Sequence, residues 1–411
     1  MIASPQREFG HQIWRLLAGL IVLILLSTLL PFITPSASGR EPGASLTLTP
    51  DSGSCDTAVM ATGGGFITGT TVTIFAGPTP GDEFGVVARA LVAADGRFSA
   101  PVSTEMFLPG CRGGAMPTTS GQRYMVGAMT GKGPKEGDDW REPAAQAIFT
   151  RTFSSADYFR LIWQRTDLAV ANGASDETWT WGPTPLTKVF QERYDDSPGD
   201  KRNVQYFDKS RMEINNPAGD TDSIWYVTNG LLVVEMVEGW YQTGDDTFDK
   251  SPDPAEVNIA GDPTGADGVG PTYADINTFG LRAKPAAVVG TAITSRINGV
   301  GTITADPTLA AHGITGAHRV TMPGIDHTVA SVFWNRMVAI GADYDNNAYY
   351  VTGLPITEAY WSAVAVDGTT HDVLWQCFER RCLTFTPDND AQWQVEMGNV
   401  GQHYHRWRYG D

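Results

Sequence analysis

The sequence predicts a mainly β protein that gains α+β character in its second part. Three observations predict it. The 411 residues include 45 Gly and 25 Pro, which favours many short strands and turns over long helices. Residues 44–153 carry short strand-like runs separated by turn signals. From residue 154 onward one layout of landmarks occurs twice, about 170 residues apart, which marks an internal duplication. The predicted order is a β-sandwich (44–153), a first repeat (154–250), an insert or small subdomain (251–326) and a second repeat (327–411). Each repeat is expected to carry a packing helix.

The chain opens with Arg7 and Arg15 ahead of an apolar run from Leu16 to Ile33, then the small residues Ser36 and Ser38. Residues 1–38 therefore read as an export segment, either cleaved after Ser38 or kept as a membrane anchor. Both alternatives place the bulk of the chain outside the cytoplasm. The first cysteine is Cys55, too far from the apolar run for a lipoprotein. Four cysteines in an exported chain favour disulfides, and their positions point to two local pairs, Cys55–Cys111 and Cys377–Cys382. Hydrophobic residues make up 42% and charged residues 18%, enough for large cores. The formal net charge of −17, with no Lys/Arg cluster, argues against nucleic acid as a partner.

In residues 44–153 the runs fall at about 45–49, 57–62, 71–76, 85–92, 97–102, 123–129 and 146–152. Turn signals such as Asp51-Ser-Gly53, Gly63-Gly-Gly65 and Asp95-Gly96 divide them. That spacing predicts a β-sandwich of roughly 100 residues. Pro50-x-Ser-Gly53 and Gly65-Phe-x-x-Gly-x-x-Val72 resemble bacterial Ig-like modules of exported proteins, a resemblance that implies a spacer or adhesion unit. Thr130–Pro143 reads as a polar loop before the last strand.

Each repeat begins with a helical pattern, over Ala156–Ala171 with Ser154 or Ser155 as cap, and over Thr328–Ile340. Trp163-Gln-Arg165 answers Trp334-Asn-Arg336, and both Trp are expected to pack the helix onto its repeat. Pro185-Leu-Thr and Pro355-Ile-Thr-Glu358 read as helix starts. Hairpins follow at Phe207–Ser210 and Phe378–Arg381, then loops ending at Asp222 and Asp390, and a final Trp-containing strand closes each repeat; Pro217 answers Pro387 and Gly230 answers Gly398. With Glu379-Arg380 as a two-residue turn, Cys377 faces Cys382 at a non-hydrogen-bonded pair, which suits a cross-strand disulfide. The insert offers a strand over Ala287–Ile297 and a short helix over Asp306–Ala311.

The Gly353-Leu-Pro-Ile-Thr turn with the Gln376-Cys-Phe-Glu-Arg hairpin resembles the LGFP module. Such modules occur in bacterial cell-surface proteins, so the resemblance implies contact with cell-wall polymers. The stretches VQYFDKSRMEINNP, YVTNGLL and VEMGNVGQHYHRWRYG are similar to an uncharacterised family of secreted bacterial proteins. That similarity implies export and duplication, and brings no catalytic residue.

Candidate chemistry is sparse. His403 and His405, on one predicted strand, would share a face, with no third metal ligand nearby. Asp343-Tyr-Asp345-Asn-Asn347 starts like a calcium loop and lacks its Gly and final Glu, leaving a solvated turn or a looser Ca²⁺ site. Glu192, Glu235 and Glu358 are available as paired carboxylates. The motifs Gly-x-Ser-x-Gly, His-Glu-x-x-His and the P-loop do not occur. No cofactor or metal is expected. Of 12 Trp, ten lie in residues 154–411, as core or as a stacking platform for sugar rings. Trp179 and Trp181, on one predicted strand face, and Tyr349 in the second repeat are the candidate ligand contacts. The expectation is an exported, non-enzymatic envelope protein that binds or organises a surface polymer, a glycan. An extracellular hydrolase and a structural surface-layer or adhesion subunit are the alternatives. Partners are expected to be envelope glycan or surface proteins, with the membrane touched only through the N-terminal segment.

Overall fold

Seven of the strands in the first part fall on the runs read from the sequence. The structure, a computed structural model, describes residues 43–79, 84–131, 143–250, 252–262, 270–366 and 368–410. The expected export segment 1–38 and most of the expected 130–143 loop lie outside these. The first part contains β1 (Ser45–Thr49), β2 (Ser52–Gly53), β3 (Ala58–Gly64), β4 (Thr71–Pro78), β5 (Gly85–Leu91), β6 (Phe98–Ser103), β7 (Arg123–Thr130) and β8 (Ala145–Arg151). They form two sheets, in the orders β1-β3-β6 and β2-β8-β7-β4-β5. Leu46, Leu48, Val59, Ala61 and Val102 from the first meet Ile74, Tyr124, Val126 and Phe149 from the second in one core. Strand β2, too short to show alternation, runs parallel to β8 and was not predicted.

The first repeat comprises α1 (Ser155–Ala171), β9 (Phe190–Arg193), β10 (Lys201–Phe207), β11 (Ser210–Ile214), β12 (Thr228–Asn229) and α2 (Leu232–Glu238). Helix α1 starts on a capping box: Ser154 Oγ accepts from Asp157 N–H, and Asp157 accepts from Ser154 N–H. After it come β13 (Tyr241–Gln242), β14 (Phe248–Asp249), α3 (Tyr273–Thr278), β15 (Ser295–Ile297), β16 (Ile303–Ala305), β17 (Gly316–Met322) and β18 (Ile325–Ala330). The second repeat comprises α4 (Ser331–Gly341), β19 (Tyr360–Val366), β20 (Thr369–Cys377), β21 (Cys382–Phe385), β22 (Val395–Met397) and α5 (Val400–Tyr409). Strand order is the same in both, β9-β10-β11-β12 and β19-β20-β21-β22, and β15 and β16 extend the second sheet.

Several local expectations are corrected. Pro185 and Pro355 start no helix; each bridges antiparallel to the hairpin phenylalanine, Phe207 or Phe378. The next N–H donates to the hairpin strand instead, Leu186 to Tyr206 O at 2.8 Å and Ile356 to Cys377 O at 3.0 Å. A proline tolerates the edge because it has no N–H to satisfy. The Trp-containing stretches are 3₁₀ turns, Ile224–Tyr226 and Ala391–Trp393, each leading through a short strand into a helix. Residues 328–330 end β18, so α4 starts at Ser331. In the insert, the predicted 287–297 strand shrinks to β15, and Pro307–His312 is a 3₁₀ helix.

The repeats are interlocked. One core joins Phe159, Trp181, Phe207 and Met212 of the first to Phe333, Trp361, Phe378 and Leu383 of the second. Another joins Val204, Leu232 and Met236 to Trp375, Cys377, Val400 and Tyr404, with Tyr273 and Ile276 from the insert. The last helix of each repeat caps the hairpin of the other: Gln402 N–H donates to Asp208 O at 3.0 Å, and Val234 N–H to Glu379 O at 3.3 Å. Both expected disulfides are closed, with Cα separations of 5.4 Å for Cys55–Cys111 and 4.0 Å for Cys377–Cys382. No helix among the described residues is long and apolar enough to cross a membrane.

Candidate functional site: the cleft at Pro185

The cleft begins with two residues one helical turn apart. Trp163 and Asp167 lie on the same side of α1 and both hold the loop that follows it. Asp167 is buried and accepts the backbone N–H groups of Thr180, Trp181 and Gly182 at 2.9, 2.8 and 3.0 Å. Burial pushes the Asp167 carboxyl up, against the pull of those three donors. Trp163 Nε1 donates to Gly182 O at 2.7 Å. Gly182 has φ of 122°, and its counterpart Gly353 has φ of 71°. Both turn the chain toward the proline bridge in a region that disfavours side chains.

From there Pro183, Thr184 and Pro185 form one lip of a cleft of about 350 Å³. Ala156, Asp157, Arg160 and Trp163 of α1 form a second side, and Gln205 and Phe207 of β10 the floor. The remaining side is the sandwich, through the Cys55–Cys111 disulfide, Asp56 and Glu105. The sandwich is fixed there by polar contacts. Arg151, fully buried, donates to Pro109 O at 2.8 Å and lies 3.8 Å from Asp157. Gln164 accepts from Met116 N–H at 2.8 Å and donates to Met116 O at 3.2 Å.

The two repeats treat this site differently. In both, the Thr after the Pro-Leu/Ile pair accepts a strand N–H: Thr187 from Tyr206 at 3.1 Å, Thr357 from Cys377 at 3.1 Å. In both, the strand glutamine donates to that threonine's carbonyl at 2.9 Å, Gln205 to Thr187 and Gln376 to Thr357. Gln376 also donates to Thr328 O at 3.0 Å and accepts from Ala330 N–H at 3.1 Å. His318 stacks on Trp334 with ring centroids 3.8 Å apart and planes 10° apart. The β17–β18 hairpin thus covers the second repeat's site. In the first repeat Pro185 is exposed, Trp163 and Gln205 line open space, and Gln205 Oε1 takes no hydrogen bond among the described residues.

The residues expected to bind ligand do not meet. Trp181 is fully buried, donates Nε1–H to Tyr344 OH at 3.0 Å and lies beneath the Arg381 guanidinium. Trp179 is half-buried in an irregular segment, so the two share no strand face. Tyr349 pairs through its hydroxyl with His318 Nε2 at 3.0 Å. The signal for Trp163 was present in its match to Trp334, but the match cannot show which copy is uncovered.

The remaining candidates are structural. Glu192 and Glu235 belong to a buried network with Glu213, Arg202, Arg211 and Arg408. Burial alone would raise the Glu192 carboxyl, but the guanidiniums of Arg211, Arg408 and Arg202 hold it at about 2. Glu358 accepts from the Ala287 and Thr328 N–H groups and pairs with His327 at 2.9 Å. His403 and His405 lie on helix α5, where a two-residue step turns the rings to opposite sides. His403 meets the Tyr273 hydroxyl at 3.0 Å, and burial, then Arg406 and Lys209, push it down to about 4. The Asp343–Asn347 stretch is a turn. Among the described residues no three His, Cys, Asp or Glu side chains group to hold a metal ion. Other cavities, of about 420 Å³ and about 330 Å³, lie beside Tyr158 and Tyr226 and beside Lys209 and His403. No family model, curated protein or solved structure matches this chain.

Proposed function

We propose that this is an exported envelope protein that works by binding and not by turnover, with the cleft at Pro185 as its binding site. One observation carries the reading. In the second repeat the chain buries Pro355, pairs Gln376 and stacks on Trp334, whereas in the first Pro185 is exposed and Gln205 and Trp163 line a cleft. A glutamine with a vacant acceptor beside an indole that lines the cleft is suited to holding a ligand. Export is supported by the N-terminal pattern and by two closed disulfides, which persist in oxidising compartments. The carboxylates first considered for hydrolysis are locked in ion pairs and hydrogen bonds away from this cleft, which supports binding without chemistry. Trp163 replaces Trp179, Trp181 and Tyr349 as the aromatic contact.

The test is capture of envelope fractions by the purified protein and by Thr184→Trp, which fills the cleft from an exposed loop position. Capture should occur with the native protein and fall at least about tenfold with the variant, at unchanged melting temperature. Equal capture by both would sink the assignment of the cleft. Release of soluble sugar or peptide would replace the binding reading with a hydrolase.

A further inference from the structure

We infer that the occupant of the Pro185 cleft is an extended polypeptide segment, one that repeats what the β17–β18 hairpin does inside this chain. The inference rests on the binding reading above and names its ligand class. In the second repeat Gln376 reads a strand through two backbone groups, the Thr328 carbonyl and the Ala330 N–H. A carbonyl and an N–H two residues apart on one side of an extended chain are a feature of polypeptide, and the amide side chain matches both. Gln205 is the same residue at the same place, with the same bond to the threonine carbonyl.

The first repeat does not supply that strand. Helix α1 begins earlier relative to the matched tryptophans than α4 does, so the corresponding backbone N–H groups bond within the helix. Gln205 is 8% exposed and lines the cleft, and solvent reaches its Oε1. A ligand N–H can take the place of water on that acceptor.

The second contact is planar. Trp334 is stacked by the His318 ring, which in turn pairs with the Tyr349 hydroxyl. Trp163 lines the cleft, and the exposed carboxylates Asp56 and Glu105 stand on the sandwich side without ion-pair partners among the described residues. A segment carrying a histidine, arginine or aromatic side chain would stack on Trp163, and those rim charges favour a cationic one. Arg160 stands in the same cleft, donating to Gly114 O at 3.3 Å, which disfavours a highly basic segment. The occupant is therefore a strand with one planar side chain and little net charge.

The probe is a fluorescent synthetic peptide of this chain's own residues 316–330, titrated by polarisation against the purified protein. Saturable binding is expected. It should weaken at least about tenfold with Gln205→Ala, with Thr184→Trp, and with a peptide N-methylated at the Ala330 position, which removes the donor for Gln205 Oε1. Thr184→Trp lies on an exposed loop and keeps the test valid if Gln205→Ala misfolds. Lack of binding, or binding insensitive to the N-methyl group and to Thr184→Trp, overturns the polypeptide inference. Neutral glycan fragments from a bacterial envelope are titrated in parallel. Glycan binding lost in Thr184→Trp, with none by peptide, overturns the inference and leaves the cleft reading standing. If no ligand responds to Thr184→Trp, both fall.

Discussion

Tyr206 and Arg211 in the first repeat stand where the second has Cys377 and Cys382, so one cross-strand position holds a hydrogen-bonded Tyr–Arg pair and the other a disulfide. Arg211 draws in Glu213 at 2.6 Å and Glu235 at 2.8 Å, with Glu192 at 3.6 Å, all buried. Removing one carboxylate leaves a guanidinium uncompensated. Glu192→Gln should therefore destabilise by about 3 to 5 kcal/mol near pH 7 in urea unfolding. The pH dependence follows from its depressed folded pKa. Its stabilisation is fully present above its ordinary pKa of 4.5 and is lost as pH falls toward about 2. His403 acts in a higher window. It is kept neutral by burial, so its contribution is present above 6.5 and is lost as pH falls toward about 4. In urea unfolding at a series of pH values, His403→Gln should flatten the 4 to 6.5 window and leave the more acid limb. An unchanged slope in that window would show that another group titrates there.

At the scale of elements, the hairpins and the last helices are the parts that lock together. The Cys377–Cys382 bond closes only a short loop, worth about 2 kcal/mol through the unfolded chain. Its counterpart hairpin keeps the same register without a disulfide. The double variant Cys377→Ala/Cys382→Ala should thus fold, with a loss on the order of 2 kcal/mol by urea unfolding; failure to fold would show that the bond sets the register. Helix α5 is less forgiving. A side chain at Gly401 would come 2.0 Å from Phe207 O and 2.6 Å from Ser210 N, both backbone atoms that cannot swing aside. Gly401→Ala should cost more than about 2 kcal/mol and loosen α5 from the first hairpin, seen as faster amide exchange there. Native-like exchange would refute the close docking.

For the whole molecule, the shared cores mean that neither repeat buries its apolar face alone. Residues 154–250 expressed alone should show no cooperative thermal transition, whereas the chain with both repeats and the insert should melt as one unit. A sharp transition for the isolated first repeat would contradict this. The insert takes part in both effects, since α3 enters one shared core and the β17–β18 hairpin closes the second repeat's site.

The sequence by itself determined the mainly β class, the strands of the sandwich and both disulfide pairings, and narrowed the α1 cap to Ser154 or Ser155. Each rests on neighbours in the chain: alternation along Leu46 and Leu48, the Ser154–Asp157 reciprocal bonds, a two-residue turn between Cys377 and Cys382. It also showed matching landmarks, Trp163 with Trp334 and Pro185 with Pro355. It could not show that His403 and His405 lie on a helix, because polar and aromatic residues mask the period there and α5 is held by docking on the other repeat. Only the tertiary structure decided that Trp181 is core and that Trp163 faces a cleft. A match between two copies gives equivalent positions, but which copy stays open depends on where the intervening chain packs. Here β17 and β18 lie on the second repeat, and Gln205 and Trp163 line a cleft.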